Sequence, residues 1–196
     1  MDERILIERC QAGEMDAFDE LLGCYEGLVY NLARRYFGNQ PEVADIAQDA
    51  MIKLFLHIGE FRWRSTFKTW VYRVVTNVCL DHLRHRKAYL VSLDGPNEDG
   101  RPMLELPEEE PGPEDMAERG QLREILADIL RTLPHDHRVI LVLRDMEELS
   151  YEEIAEVLGC SLGTVKSRLA RARDALRRKF LASSRAAGWA ERKLQA

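Results

Sequence analysis

The chain has 196 residues, of which 45% are hydrophobic and 32% are charged, and its formal net charge is −6. This length fits one large domain or two small ones, and the hydrophobic fraction excludes wholesale disorder. No stretch approaches the roughly 20 apolar residues of a membrane span, and the first residues lack the basic and apolar segments of a signal peptide. We therefore expect a cytoplasmic protein with no direct membrane insertion.

The basic residues are concentrated in two blocks of an otherwise acidic chain. Residues 60–87 carry seven basic and two acidic side chains, and residues 161–180 carry seven and one, whereas residues 88–160 carry six and nineteen. Such an asymmetry indicates contact with a polyanion at two places, although two solvated helix faces would have the same composition.

A proline-rich and acidic segment divides the chain. Residues 92–118 contain five of the seven prolines and the run Glu108-Glu109-Glu110, without helical or strand periodicity. This composition predicts a flexible linker. We therefore expect two domains, 1–90 and 115–180, joined by a linker at 91–114. The tail, 181–196, is either a partner-contacting helix or a frayed end.

The first domain has helical periodicity throughout, and no strand signal occurs in either domain. One apolar stripe runs from Phe18 to Tyr36, and a long helix is predicted from about Thr66 to Lys87. Between them, a helix following Pro41 has an apolar face that we expect to be buried, comprising Ile46, Ala47, Ala50, Met51, Leu54, Phe55 and Ile58. Its other face presents Asp45, Gln48, Asp49 and Ile52.

The second domain ends in a predicted helix-turn-helix. A helix at 122–133 stops near Pro134, and another contains residues 138–146. Ser150 and Glu153 then have the spacing of a capping box, Gly159 supplies a tight turn, and Ser161 can cap a final helix that continues to about residue 180. The fold class is therefore all-α. A helix-turn-helix is also a common packing unit, so this motif alone leaves a purely structural role open.

The final helix carries side chains of the types that contact bases and phosphates of duplex DNA. Val165 and Leu169 are expected to point to the core, which turns a mainly basic face outward. Cations near the N-terminus of such a helix reach guanine edges and phosphates in a major groove. The outward residues are Lys166, Ser167, Arg168, Ala170, Arg171 and Arg173.

Several motifs together resemble the extracytoplasmic-function (ECF) type of bacterial sigma factors. Residues 149–155 (LSYEEIA) and 163–173 (GTVKSRLARAR) are similar to region 4 of that family. Residues 45–49 (DIAQD) resemble the region 2 segment that docks on RNA polymerase, and 65–73 (STFKTWVYR) with 77–84 (NVCLDHLR) resemble its promoter-melting stretch. The small outward residue Ala170 departs from the larger side chains of relatives.

The resemblance implies a sigma factor that binds core RNA polymerase through the β′ clamp helices and the β flap, recognises −35 and −10 elements, and helps to open the promoter. It further implies an anti-sigma factor as a partner, which in this family is often membrane-bound. The implied polymerase contacts are Asp45, Gln48, Asp49 and Ile52. The implied −35 contacts are Thr164, Lys166, Ser167, Arg168, Arg171 and Arg173. The implied −10 contacts are Arg62, Arg64, Ser65, Phe67, Lys68, Trp70, Tyr72, Arg73 and Asn77.

The implied −10 surface has the residue types that are needed to hold an unpaired strand. Bases stack on aromatic rings, while arginine and lysine neutralise phosphates. The loop at 60–65 corresponds to the one that receives an extruded base in the family. Arg73 and Asn77 are better suited to duplex edges, and Trp70 is equally well explained as a core residue.

Two other functions remain to be weighed. An ordinary helix-turn-helix regulator binds duplex DNA, usually as a dimer, but its first domain would carry a dimerisation or ligand-binding module. An enzyme would need a catalytic constellation, and neither His82 and His85 nor His135 and His137 have one. The four scattered cysteines are most simply reduced and buried. We therefore expect no catalytic residue, metal or cofactor.

Overall fold

The computed structural model describes residues 2–92 and 113–183, and in these two ranges every regular element is helical. The all-α prediction is therefore confirmed. The first range contains α1 (Glu3–Gln11), α2 (Met15–Phe37), α3 (Val43–His57), a 3₁₀ turn (Ile58–Glu60) and α4 (Phe67–Ser92). The second contains α5 (Pro113–Thr132), α6 (His135–Leu141), a π-helical turn (Val142–Met146), α7 (Tyr151–Leu158) and α8 (Leu162–Ala182).

In residues 2–92, the range of the predicted first domain, α1, α3 and α4 pack around the long helix α2. In the predicted stripe Phe18, Leu21, Val29 and Leu32 are buried, Leu22, Tyr25 and Leu28 are half-buried, and Tyr36 at its end has no solvent exposure. The Tyr36 hydroxyl meets the Thr76 hydroxyl of α4 at 3.2 Å, and burial raises the pKa of Tyr36 well above its ordinary value. This pairing joins the C-terminal end of α2 to α4.

One predicted core residue lies at the surface instead. Phe55 of α3 is 40% exposed, and its ring meets the edge of Phe18 at a centroid distance of 4.8 Å. The buried stripe of α3 passes through Ala50 and Leu54, so Phe55, about 100° further around the helix, falls at its rim. Met51 of the same helix is half-buried.

Residues 113–183, the range of the predicted second domain, contain the predicted helix-turn-helix with its predicted caps. Ser150 and Glu153 form both bonds of the capping box, and Gly159 ends α7 in the left-handed conformation with φ +59°. Ser161 caps α8 through the backbone N–H of Thr164 at 3.2 Å. These local signals fix the angle at which α8 leaves α7.

The two domains pack against each other, chiefly through α4 and α7. Arg138 of α6 is buried, and its Nη1 donates at 2.8 Å to the carbonyl oxygen of Tyr36 in α2. Helix α4 ends at Ser92 and α5 begins at Pro113. The greater part of the predicted linker, and the tail from residue 184 with Trp189, lie outside the described residues.

Two absences can be stated for the described part of the chain. None of its helices combines the length and the apolar character needed to cross a bilayer. No group of its histidine, cysteine, aspartate and glutamate side chains is arranged to hold a metal ion. Its four cysteines are free thiols, of which Cys24 is exposed, and burial raises the pKa of Cys79 to about 12.

Candidate nucleic-acid interface

Helix α8 presents a basic face to solvent. Val165, Leu169 and Ala172 are buried against the rest of the second domain. The predicted outward residues follow the opposite side: Lys166, Ser167, Ala170, Arg171 and Arg173 are exposed, and Thr164 and Arg168 are half-exposed. All six predicted −35 residues are thus exposed or half-exposed on α8.

Two arginines of this face are oriented by neighbouring groups. Arg171 Nε donates to the carbonyl oxygen of Ser167 at 3.3 Å. Arg173 Nη2 lies 2.5 Å from Asp145 Oδ1 in the π-helical turn, and this carboxylate raises the pKa of Arg173. To bind DNA, Arg173 would therefore have to exchange the Asp145 carboxylate for a phosphate. Lys166 and Arg168 lie nearer to the capped N-terminus of the helix.

Helix α3 presents the predicted polymerase-docking stripe to solvent. Asp45, Gln48, Asp49 and Ile52 are all exposed, and Ile52 is 48% exposed. Phe55 and Leu56 extend this stripe with apolar surface that was not predicted. In the sequence, Leu56 falls outside the apolar spacing of this helix, whereas Phe55 was predicted to be buried.

The loop between α3 and α4 carries cations around an exposed ring. Arg62 and Arg64 are exposed, and Trp63 between them is 43% exposed with a positive φ of +54°. The Arg4 guanidinium lies over the Trp63 ring at 5.3 Å, and Gln11 Nε2 donates to the carbonyl oxygens at residues 58 and 61. Helix α1 therefore positions this loop, which the sequence did not indicate.

The predicted strand-binding aromatics are buried in this conformation. Phe67 and Trp70 are 4% and 3% exposed and stack at 5.3 Å in a cluster with Phe61. Neither ring is accessible to a nucleotide, because the cluster fills the space beneath the loop. Of the two roles considered for Trp70, strand contact and core packing, this conformation has the core packing. The predicted contacts of these two rings with DNA stay a prediction.

Tyr72 is covered by the second domain. Its hydroxyl donates to Glu147 Oε2 at 2.7 Å, and burial together with this carboxylate raises the pKa of Tyr72, which keeps the phenol protonated as a donor. Glu147 Oε1 also lies 3.1 Å from Nη1 of Arg35 in α2. Neither Arg35 nor Glu147 was predicted from the sequence, since no local pattern connects them.

The remaining predicted −10 residues lie around this contact. Lys68 and Asn77 are exposed, Ser65 and Arg73 are half-exposed, and the Lys68 ammonium lies 5.9 Å from the centre of the Tyr72 ring. On α7, Glu153 accepts a hydrogen bond from the Thr69 hydroxyl at 3.4 Å. The pKa of Glu153 is lowered, first by its hydrogen bond from the backbone N–H of Ser150 and further by the nearby charge of Lys68. Acidic groups of the second domain thus face a basic helix of the first.

The chain matches two family models in the order of its domains. Sigma-70 region 2 matches residues 21–89, and Sigma-70 region 4 matches residues 123–176. The first match covers α3, the following loop and most of α4, and the second covers the helix-turn-helix. Together they account for more than half of the chain.

Curated relatives and a solved structure agree with these matches. The chain is 34% identical over 176 residues to the ECF RNA polymerase sigma factor SigW of Bacillus subtilis, covering 89% of this chain and 94% of that protein. It is 34% identical over 182 residues to the ECF RNA polymerase sigma-E factor of Escherichia coli, with coverages of 90% and 93%. The structure of CnrH in complex with the cytosolic domain of CnrY aligns with a TM-score of 0.62 and 26% identity, covering 93% of this chain and 99% of CnrH. With both regions present in order and relatives matched over nearly their whole length, the chain belongs to the extracytoplasmic-function sigma factors of RNA polymerase.

Proposed function

We propose that this sigma factor delivers core RNA polymerase to promoters by reading the −35 duplex with α8 and holding the −10 strand with α4 and the preceding loop. The single observation that carries the proposal is the separation of charge on the surface. Two cationic surfaces, on α8 and on the loop with α4, share one chain with an exposed acidic and apolar stripe on α3. DNA attracts the first two, and a basic protein partner suits the third.

The −35 element is read by the capped end of α8. Lys166 and Arg168 lie within its first two turns, where a recognition helix contacts base edges, and Arg171, three residues after Arg168, continues the face of Arg168. A bidentate arginine contact with guanine discriminates between bases, while a phosphate contact only adds affinity. The predicted −35 set is retained, with Arg173 as its most peripheral member.

The −10 strand follows the loop onto α4. Arg62 and Arg64 neutralise phosphates, Lys68, Arg73 and Asn77 continue along α4, and Tyr72 offers an aromatic face once the second domain moves away. Phe67 and Trp70 support this surface from beneath and reach a base only if the aromatic cluster rearranges. The chain contributes binding and no chemistry of its own, so bond formation belongs to the polymerase.

The protein partners follow from the same surfaces. The stripe of Asp45, Gln48, Asp49 and Ile52 docks on the β′ clamp helices, and the second domain docks on the β flap. An anti-sigma factor restrains the free chain, and a membrane-bound form of that partner is compatible with the neighbour CnrH, whose structure contains the cytosolic domain of CnrY. The sigma factor itself works in the cytoplasm, where polymerase and DNA are.

Run-off transcription with purified core polymerase on a promoter library tests this function. We expect the chain to select a subset of templates that share −35 and −10 elements, with transcripts that require both elements. An ordinary duplex-binding regulator would instead bind its site without polymerase and would support no transcription by core enzyme alone. Binding without transcript would therefore contradict the proposal.

A further inference from the structure

The contact between the two domains centres on the carboxylate of Glu147. Its Oε2 accepts the hydrogen bond from the Tyr72 hydroxyl at 2.7 Å, and its Oε1 lies 3.1 Å from Arg35 Nη1. The Glu147 side chain is only 13% exposed, so a charged group of the second domain is inserted between α2 and α4 of the first. A carboxylate in this position needs the cation and the phenol that surround it.

Arg35 is not fully satisfied by this carboxylate. Its Nη1 is a buried atom that makes no hydrogen bond among the described residues, because the 3.1 Å approach to Glu147 is not aligned for one. A guanidinium presents donors in a planar fork and binds carboxylate and phosphate in the same way. A phosphodiester of a DNA strand has two charged non-bridging oxygens, as a carboxylate has two, so it can meet the fork and the Tyr72 hydroxyl in the same way.

The surroundings on α4 extend this anion site along the helix. Lys68 lies beside the Tyr72 ring, and the Thr69 hydroxyl donates to a second carboxylate of the other domain, Glu153. Two carboxylates of the second domain therefore lie against the donors of a surface that we assign to a nucleic-acid strand.

From this geometry we infer that Arg35 and the Tyr72 hydroxyl form a phosphate-binding site for the unpaired promoter strand, and that Glu147 occupies this site in the closed chain. The inference rests on the proposed function, since it assumes that α4 holds the strand. Docking of the second domain and binding of the strand then exclude each other. The closed arrangement lowers the affinity of the free sigma factor for single-stranded DNA.

A binding assay with three full-length variants tests this competition. The probe is a short, fluorescein-labelled single-stranded DNA of mixed sequence, and fluorescence anisotropy reports its binding. Glu147→Gln keeps the size of the side chain but removes the charge, so we expect binding to be about three- to tenfold tighter than that of the wild type. Glu152→Gln makes the same change at an exposed position of α7 and should leave affinity close to that of the wild type.

The double variant Arg35→Gln, Glu147→Gln identifies the site. It should lose most of the gain of Glu147→Gln, because the guanidinium that holds the phosphate is missing. Equal binding by Glu147→Gln and Glu152→Gln would overturn the inference, as would a double variant that binds as tightly as Glu147→Gln. Circular dichroism checks folding. If Glu147→Gln fails to fold, Glu147→Asp must show tighter binding, because its shorter side chain cannot span Arg35 and Tyr72.

The outcome of this assay is separable from that of the proposed function. If the wild-type protein directs promoter-specific transcription but Glu147→Gln does not change probe binding, only the inference is contradicted. Wild-type protein that directs no transcription by core polymerase would contradict the proposed function, whichever variant binds the probe.

Discussion

His82 on α4 and Asp49 on α3 lie 3.0 Å apart, measured from Nε2 to Oδ2, so one carboxylate of the proposed polymerase-docking stripe is oriented by a neighbouring helix. Both side chains are partly exposed, at 39% and 53%, and such a pair contributes little to stability. Its effect is on geometry, because it limits the directions in which Asp49 can meet a partner.

Replacement of Asp45 and Asp49 by arginine should abolish binding to core polymerase. Both side chains are exposed, so helical content should be unchanged, while two carboxylates facing a basic partner become two like charges. A pull-down with purified core enzyme measures the loss. Glu26→Arg, on the exposed surface of α2, is the matched control and should bind as the wild type does. Unaltered binding of the Asp45→Arg, Asp49→Arg variant would place the docking surface elsewhere.

Arg168→Ala and Arg171→Ala should each weaken binding to a −35 duplex. A residue that makes a bidentate base contact should lose roughly 1–3 kcal/mol of discrimination at one base pair. A residue that contacts phosphate should instead lose affinity evenly across sequences and reduce the salt slope by about one. Titrations at several salt concentrations separate these effects. Arg177→Ala, further along α8, serves as the control. If neither test variant changes duplex affinity, the assignment of α8 as the recognition helix is wrong.

The elements of the fold follow from local features of the sequence. Apolar spacing predicts the helices, and the capping box at Ser150 and the turn at Gly159 predict where α7 begins and ends. One prediction of burial was wrong: Phe55 has the spacing of a core residue but lies at the rim. The predicted helix that contains residues 138–146 is present and begins at His135, and its last residues form a wider π-helical turn that the spacing does not indicate.

The candidate site was predictable only where it lies on one helix. The faces of α3 and α8 depend on periodicity, so the orientation of Asp45 and Arg171 follows from the buried residues beside them. The contact of Tyr72 with Glu147 joins residues 75 positions apart on different domains. Nothing near either residue indicates that contact, since it depends on how two helical surfaces pack.

The capping box of α7 should give the protein a pH-dependent contribution to stability. The pKa of Glu153 is held below its ordinary value of 4.5, first because its carboxylate accepts the backbone N–H of Ser150. The charged form is therefore favoured in the folded state. Its contribution is fully present above the ordinary pKa and is lost as the pH falls through the lower, folded-state pKa.

Glu153→Gln should accordingly be less stable than the wild type near neutral pH, and the difference should shrink as the pH falls below about 4.5. Glutamine can still accept the Ser150 N–H, so the comparison isolates the charge. Urea midpoints over a pH series measure it, with Glu152→Gln as the control for a lost surface charge. A stability difference that does not change with pH would contradict this account. Ser150→Ala should cost about 1 kcal/mol near neutral pH by removing the cap.

The strand-holding role of α4 is tested by Tyr72→Ala and Asn77→Ala in polymerase holoenzyme on a fully duplex promoter. Unstacking a base costs a few kcal/mol, and stacking on an aromatic ring returns roughly 1–3 kcal/mol. Both variants should therefore form closed complexes but few open ones, which permanganate reactivity of unpaired thymines measures. Tyr30→Ala, which removes an exposed tyrosine of α2, controls for the loss of a ring.

A template mismatched across the −10 region separates melting from reading of the strand. Because the strands are already apart, a variant that is defective only in melting should recover open complexes on this template. A variant that fails to hold the captured strand should stay defective. We expect Asn77→Ala to recover more fully than Tyr72→Ala, because Asn77 lies exposed at a position suited to a duplex edge, whereas the Tyr72 ring is a stacking surface. Wild-type permanganate patterns from both variants on the duplex promoter would mean that the strand lies on another face of α4.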